Sequence, residues 1–161
     1  MIKRFKIIPS LVFTVFMLSS ALQSTAQTSN ESEPLHWYID YDDAKKDALT
    51  SGKIMMLYFS GSDWCKPCIQ LNKNILESEA FTKYVTGNFV PVKLDFPKMR
   101  KNKPSKNKII HDENLAEKYN PNGVFPLLVF LDRDEKMIGF TGYSELSPNA
   151  YVAVIDKIIH Q

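Results

Sequence analysis

Apolar positions along this chain fall into two patterns: short dense runs, and longer stretches where they recur every three or four residues. The dense runs at residues 54–59 and 127–131 are too short for helices and read as buried central strands. Residues 89–96 alternate as a further strand, and the charged turn at 132–135 leads into an edge strand over 136–141. Helical patterns lie between. Residues 41–50 predict a short polar helix closed by Ser51 and Gly52. Ile69, Leu71, Ile75 and Leu76 return at helical spacing, and Ser78 followed by Glu79 and Phe81 starts another helix ending near residue 86. A polar segment at 97–108 precedes a helix over 112–119, and Asn120, Pro121, Asn122 and Gly123 form a turn. Pro148 opens a closing helix whose apolar face is Tyr151, Val152, Val154, Ile155, Ile158 and Ile159. This order predicts an α/β fold with a mixed sheet, helices on both faces and an antiparallel edge.

Composition then narrows the function. With 161 residues and 44% hydrophobic content, one domain with a substantial core is expected. The two cysteines are too few for a disulfide scaffold or a Cys-rich zinc site. The formal charge of +2 is an average over unlike pieces. Residues 1–26 carry Lys3, Arg4 and Lys6 with no acid, so the rest is close to neutral, which gives no support for nucleic-acid binding. That first segment has the form of a secretory signal: a basic start, an apolar stretch from Ile7 to Leu22, and the small residues Ser24 and Ala26 before a cut at Gln27. Its uninterrupted apolar core, Leu11 to Leu18, is shorter than a spanning helix needs, so no stable membrane span is expected after cleavage. The expected organisation is a signal peptide at 1–26, a polar disordered leader at 27–35 and one domain at 36–161. The expected location is periplasmic or secreted.

Both cysteines fall in Trp64-Cys65-Lys66-Pro67-Cys68, between the first strand and the following helix. Positions i and i+3 share a helix face, so the two sulfurs can meet. Cys65 falls at the helix start, where unpaired N–H groups and the helix dipole favour a thiolate, and Lys66 adds a positive charge. Pro67 is compatible with a first turn. Cys65 is then the attacking sulfur, and the more deeply placed Cys68 resolves the mixed disulfide. A half zinc site lacks partner ligands, because His36, His111 and His160 are scattered singly. A purely structural disulfide closing so short a loop constrains the unfolded chain little.

The window Y-F-S-G-S-D-W-C-K-P-C, together with G-V-F-P-L-L-V-F-L-D downstream, resembles the thioredoxin superfamily. The acidic helix running into S-G-K-I-M-M-L-Y-F and the ending G-F-T-G-Y-S-E-L-S-P are similar to its exported members, including the C-terminal domain of the bacterial transmembrane thiol–disulfide reductase. The resemblance covers roughly residues 36–160 and implies a thioredoxin fold with a central sheet of about four to five strands. It implies Cys65 as nucleophile, Cys68 as resolving cysteine, and Trp64 as the tryptophan flanking the motif. Pro126 matches the family's cis-proline, which would present the backbone of Phe125 to a substrate chain; the plainer alternative is a proline at the first position of a strand. The sequence departs from the family in one respect. Where thioredoxins carry a buried acid behind the dithiol, this chain offers Tyr58 or Phe59, and Asp63 is expected to be exposed or to cap the helix. Proton transfer is left to Lys66, Asp63 or water.

Lys98, Arg100, Lys101, Lys103, Lys106 and Lys108 crowd the polar segment, either as a docking patch for an acidic partner or as a solvated loop, and the second is favoured. The resulting expectation is a monomeric oxidoreductase acting on protein thiols and disulfides, recharged by an upstream redox partner, without metal or organic cofactor. Electron flow is expected in the reductase direction. A binding or chaperone-like module and a redox sensor are the alternatives.

Overall fold

A computed structural model describes residues 34–160. The elements follow in the order α1 (Tyr41–Ser51), β1 (Ile54–Ser60), α2 (Lys66–Leu71), a π-helical turn (Asn72–Leu76), α3 (Glu79–Asn88) and β2 (Phe89–Asp95). A 3₁₀ turn (Arg100–Asn102), α4 (Lys106–Tyr119), β3 (Leu127–Leu131), β4 (Met137–Gly142) and α5 (Pro148–Ile159) complete the domain. The sheet order is β2-β1-β3-β4, with β1 and β2 parallel and the other neighbours antiparallel. Tyr38 adds one parallel bridge to Val92 on the outer side of β2. The expected signal segment and most of the expected leader lie outside the described residues; Leu35 and Trp37 pack partly buried against the core.

Strand alternation divides the core into two layers. Met55, Leu57 and Phe59 of β1 join Val90, Val92 and Leu94 of β2 and Val129 of β3 against α1 and α4. Met56 and Tyr58 face the other way, with Leu128 and Phe130, against α3, α5 and the α2–π segment. This is why residues 54–59 read as a continuous apolar run: both faces of β1 are covered.

The helix starts follow their caps. Asp40, Ser78, Ser105 and Ser147 each accept from a backbone N–H three residues on. Gly52, at φ 73°, ends α1 and donates its N–H to the Ala48 carbonyl. Three expectations need correction. The helix expected over 112–119 begins at Lys106, because Ser105 caps a first turn that faces solvent and so carries no apolar period. Helix α3 runs two residues beyond 86. Ile69 is 51% exposed, whereas Cys68, Leu71 and Ile75 form the buried stripe of the segment after the motif.

Candidate active site

Strand β1 is the central scaffold of the site, and the loop leaving its C-terminal end carries the cysteines. Ser60 is buried, and its carbonyl accepts from the Phe96 N–H, which fixes the end of β1 to the end of β2. The Ser62 N–H and hydroxyl both donate to Asp95, at 2.9 and 2.6 Å. The Trp64 and Cys65 N–H groups return to the Gly61 carbonyl. The Trp64 ring lies directly over Gly61, where any β-carbon would overlap it, so this position requires glycine.

Cys65 is the N-cap of α2, and its Sγ accepts from the Cys68 N–H at 3.2 Å. Lys66 and Pro67 occupy the first positions of the helix, both exposed. Cys65 and Cys68 are joined in a disulfide, with Cα atoms 5.2 Å apart and both residues buried. Cys65 rather than Asp63 therefore caps α2, which corrects one of the two placements expected for that acid.

Asp63 is instead turned towards the segment after β2. It accepts from the Lys98 and Met99 N–H groups and from the Asn102 side-chain amide, each at 2.9 Å. Partial desolvation raises its pKa, but these three hydrogen bonds outweigh it and hold the carboxyl below the ordinary range. A carboxylate so engaged is a strut and is poorly suited to shuttling protons.

Three aromatic rings cluster at the cysteine loop. Phe125 meets Trp64 edge-on at 5.5 Å and Phe96 at 5.6 Å, and the Trp64 indole N–H donates to the Phe96 carbonyl at 2.7 Å. The Phe125–Pro126 peptide bond is cis. Pro126 is buried at the start of β3, whose Leu127 pairs with Phe59 near the end of β1. Asn120 holds the preceding turn, exchanging hydrogen bonds of 2.8 Å with the Val124 N–H and carbonyl through its side chain. Strand pairing and these contacts thus bring Trp64, Phe125 and Pro126 together with the cysteine loop.

Behind Cys68, the structure distinguishes Tyr58 from Phe59. Phe59 packs into the opposite layer, whereas the Tyr58 hydroxyl donates to the Cys68 carbonyl at 3.2 Å. Burial pushes the Tyr58 phenol upward. A pocket of about 370 Å³ opens beside these two residues and is lined also by Ser60, Asn72, Glu77 and Lys93. Lys93 is the β2 register partner of Tyr58. Its place was not recognised in the sequence, where it interrupts the apolar strand pattern; only the β1–β2 register reveals its proximity to Cys68. Asn120 and Phe96 were missed for the same reason, since neither belongs to the motif. The three histidines are engaged elsewhere, His36 against Tyr38, His111 beside Asp112 and His160 at the end of α5.

Residues 41–159 match the profile described as a thioredoxin-like domain. The chain belongs to the thioredoxin-like domain family. Among curated members of this superfamily, it is 31% identical over 140 residues to the thioredoxin-related protein DsbJ of Chlamydia pneumoniae, covering 85% of this chain and 39% of that protein. It is 27% identical over 154 residues to the disulfide bond reductase DsbH of the same organism, covering 92% of this chain and 90% of that one. A solved structure of a DsbH oxidoreductase superposes with a TM-score of 0.74 at 27% identity, over 80% of this chain and 86% of the other. The thioredoxin fold, with its four-stranded mixed sheet and five α-helices, is thus established by architecture and by family together.

Proposed function

We propose that this chain is a periplasmic or secreted thiol–disulfide oxidoreductase that exchanges disulfides with protein substrates, running in the reductase direction. The observation that carries this reading is the bonded Cys65–Cys68 pair at the start of α2, with a backbone N–H already directed at Cys65 Sγ. The similarity to a protein named as a disulfide bond reductase supports the direction, and the basic and apolar N-terminal segment supports export.

In the reduced enzyme, the Cys65 thiolate attacks one sulfur of a substrate disulfide. A Cys65–substrate disulfide forms, and the other substrate sulfur leaves as a thiolate that takes up a proton. Cys68 then loses its proton and attacks Cys65 Sγ, which forms the intramolecular disulfide and releases the second substrate thiolate. Two electrons pass from the dithiol to the substrate, and a dithiol donor of the redox chain restores the enzyme by the reverse exchange. Trp64, next to Cys65 in the chain, packs against Phe125, and the backbone at Phe125, ahead of Pro126, is the segment that would align an extended substrate chain. Lys66 supports the thiolate by its charge.

Equilibration of the purified protein against glutathione, with thiol trapping and mass measurement, tests the direction. A reduction potential near the thioredoxin end of the scale, about −270 mV, is expected for a reductase; a value near about −120 mV would assign the chain as an oxidant instead.

A further inference from the structure

The six basic residues counted in the sequence as one loop separate in the structure. Lys106 and Lys108 belong to α4, and Lys108 is bound to the buried Asp112, with its amine 2.6 and 2.7 Å from the two carboxylate oxygens. Lys98, Arg100, Lys101 and Lys103 remain on the segment between β2 and α4, all four exposed and none in an ion pair among the described residues.

That segment is secured to the cysteine loop at three places. Asp63, two residues before Cys65, binds the Lys98 and Met99 N–H groups and the Asn102 amide. The Phe96 carbonyl holds the Trp64 indole. The Lys98 amine lies 4.1 Å from the centre of a Trp64 ring, in cation–π geometry. A loop serving only solubility has no need of a fixed position, yet this one is held against the tryptophan that immediately precedes Cys65 in the chain. Asp63 and Asp95 beside it accept hydrogen bonds from Lys98, Met99, Asn102 and Ser62, and Asp112 and Glu113 share a pocket lining with Lys103, but residues 96–111 carry no acid of their own, so the segment's own charge is wholly positive. Trp64, at 39% exposure, and Met99, at 51%, add exposed apolar surface on the two joined loops.

We propose that Lys98, Arg100, Lys101 and Lys103 form a docking surface for acidic polypeptide segments flanking the disulfide that this enzyme exchanges. This assignment rests on the exchange chemistry proposed above and specifies its substrate class: proteins whose reactive cysteine has aspartate or glutamate a few residues away. The cations accelerate encounter and hold the flanking segment, while the sulfur chemistry remains with Cys65 and Cys68.

Two synthetic peptides with the same disulfide test the surface, one flanked by aspartates and the other by serines, with a small uncharged dialkyl disulfide as a third substrate. The wild-type enzyme should favour the acidic peptide in kcat/KM by about tenfold at about 0.01 M salt, mainly through KM, and lose most of that preference by about 0.3 M. The variant Arg100→Glu/Lys101→Glu/Lys103→Glu leaves Lys98, Asp63 and Trp64 in place, and should abolish or invert the preference while reacting with the uncharged disulfide at the wild-type rate. Equal rates for both peptides with the wild type at low salt, or an undiminished acidic preference in the variant, would overturn the docking surface alone. No exchange with the uncharged disulfide by the wild type would overturn the exchange chemistry and the docking surface together.

Discussion

At the residue scale, the departure from the family's buried acid has a specific consequence. Tyr58 stands behind Cys68, fully buried, with its hydroxyl donated to the Cys68 carbonyl and its pKa raised by desolvation. A phenol in that state neither takes nor gives a proton in the physiological range; it orders the helix turn that bears Cys68. The backbone N–H of Asn72 also donates to the Cys68 carbonyl, so removing the hydroxyl leaves that acceptor satisfied. Tyr58→Phe should therefore cost about 1 kcal/mol in denaturant unfolding and leave the pH profile of disulfide exchange unmoved. A displaced profile would instead make Tyr58 a proton carrier. Asp63 was a candidate for that task, but its three hydrogen bonds to the segment after β2 give it a positioning role.

At the element scale, the turn between β3 and β4 ties the sheet to the helices on one face. Glu135 accepts from the Tyr41 hydroxyl and the Lys45 amine of α1, while its backbone carbonyl accepts from Tyr119 of α4. The hydrogen bond from Lys45, followed by that from Tyr41, lowers the Glu135 pKa below the ordinary 4.5, outweighing the opposing desolvation. A lowered carboxyl stabilises the fold above its unfolded pKa, and the contribution fades as pH falls through the folded value. Glu135→Gln should thus be destabilised by roughly 0.5–1 kcal/mol at neutral pH, with the difference from wild type closing as pH drops below 4.5. A gap that persists into acid, read from unfolding curves across pH, would show that charge is not what the turn contributes.

Strands β1 and β3 were legible because both faces of each are covered, leaving no polar position to interrupt the run. The first turn of α4 was not, because its burial begins only at Ile109 and Asp112, and the Lys108–Asp112 pair makes a buried contact from two charged residues. The π-helical turn after α2 had no signal in the spacing of Leu71, Ile75 and Leu76, which fits an α-helix as well.

At the scale of the whole molecule, the order of elements and the position of the Cys-x-x-Cys window were enough to indicate the fold. The surroundings of the dithiol depended on pairings that span the chain. Tyr58 comes beside Lys93 through the β1–β2 register, and Phe125 beside Trp64 through the pairing of β3 with β1. Such juxtapositions have no local sequence pattern, so the two cysteines were legible while the residues around them required the structure. The basic segment shows the same division: its charge was evident in the sequence, but its attachment to Asp63 and Trp64 was not.

In the proposed exchange, Cys65 forms a covalent link with protein substrates and Cys68 releases it. The most direct test of this exchange is covalent capture by Cys68→Ser, with the wild type and Cys65→Ser as controls, followed by mass spectrometric location of the linked sulfur. Exposed to a disulfide-containing protein after reduction, Cys68→Ser should accumulate a mixed disulfide at Cys65 that dithiothreitol dissolves, whereas Cys65→Ser should accumulate little. Substrate association undiminished by loss of both cysteines, with no adduct at Cys65, would contradict the account and leave a binding module on this fold.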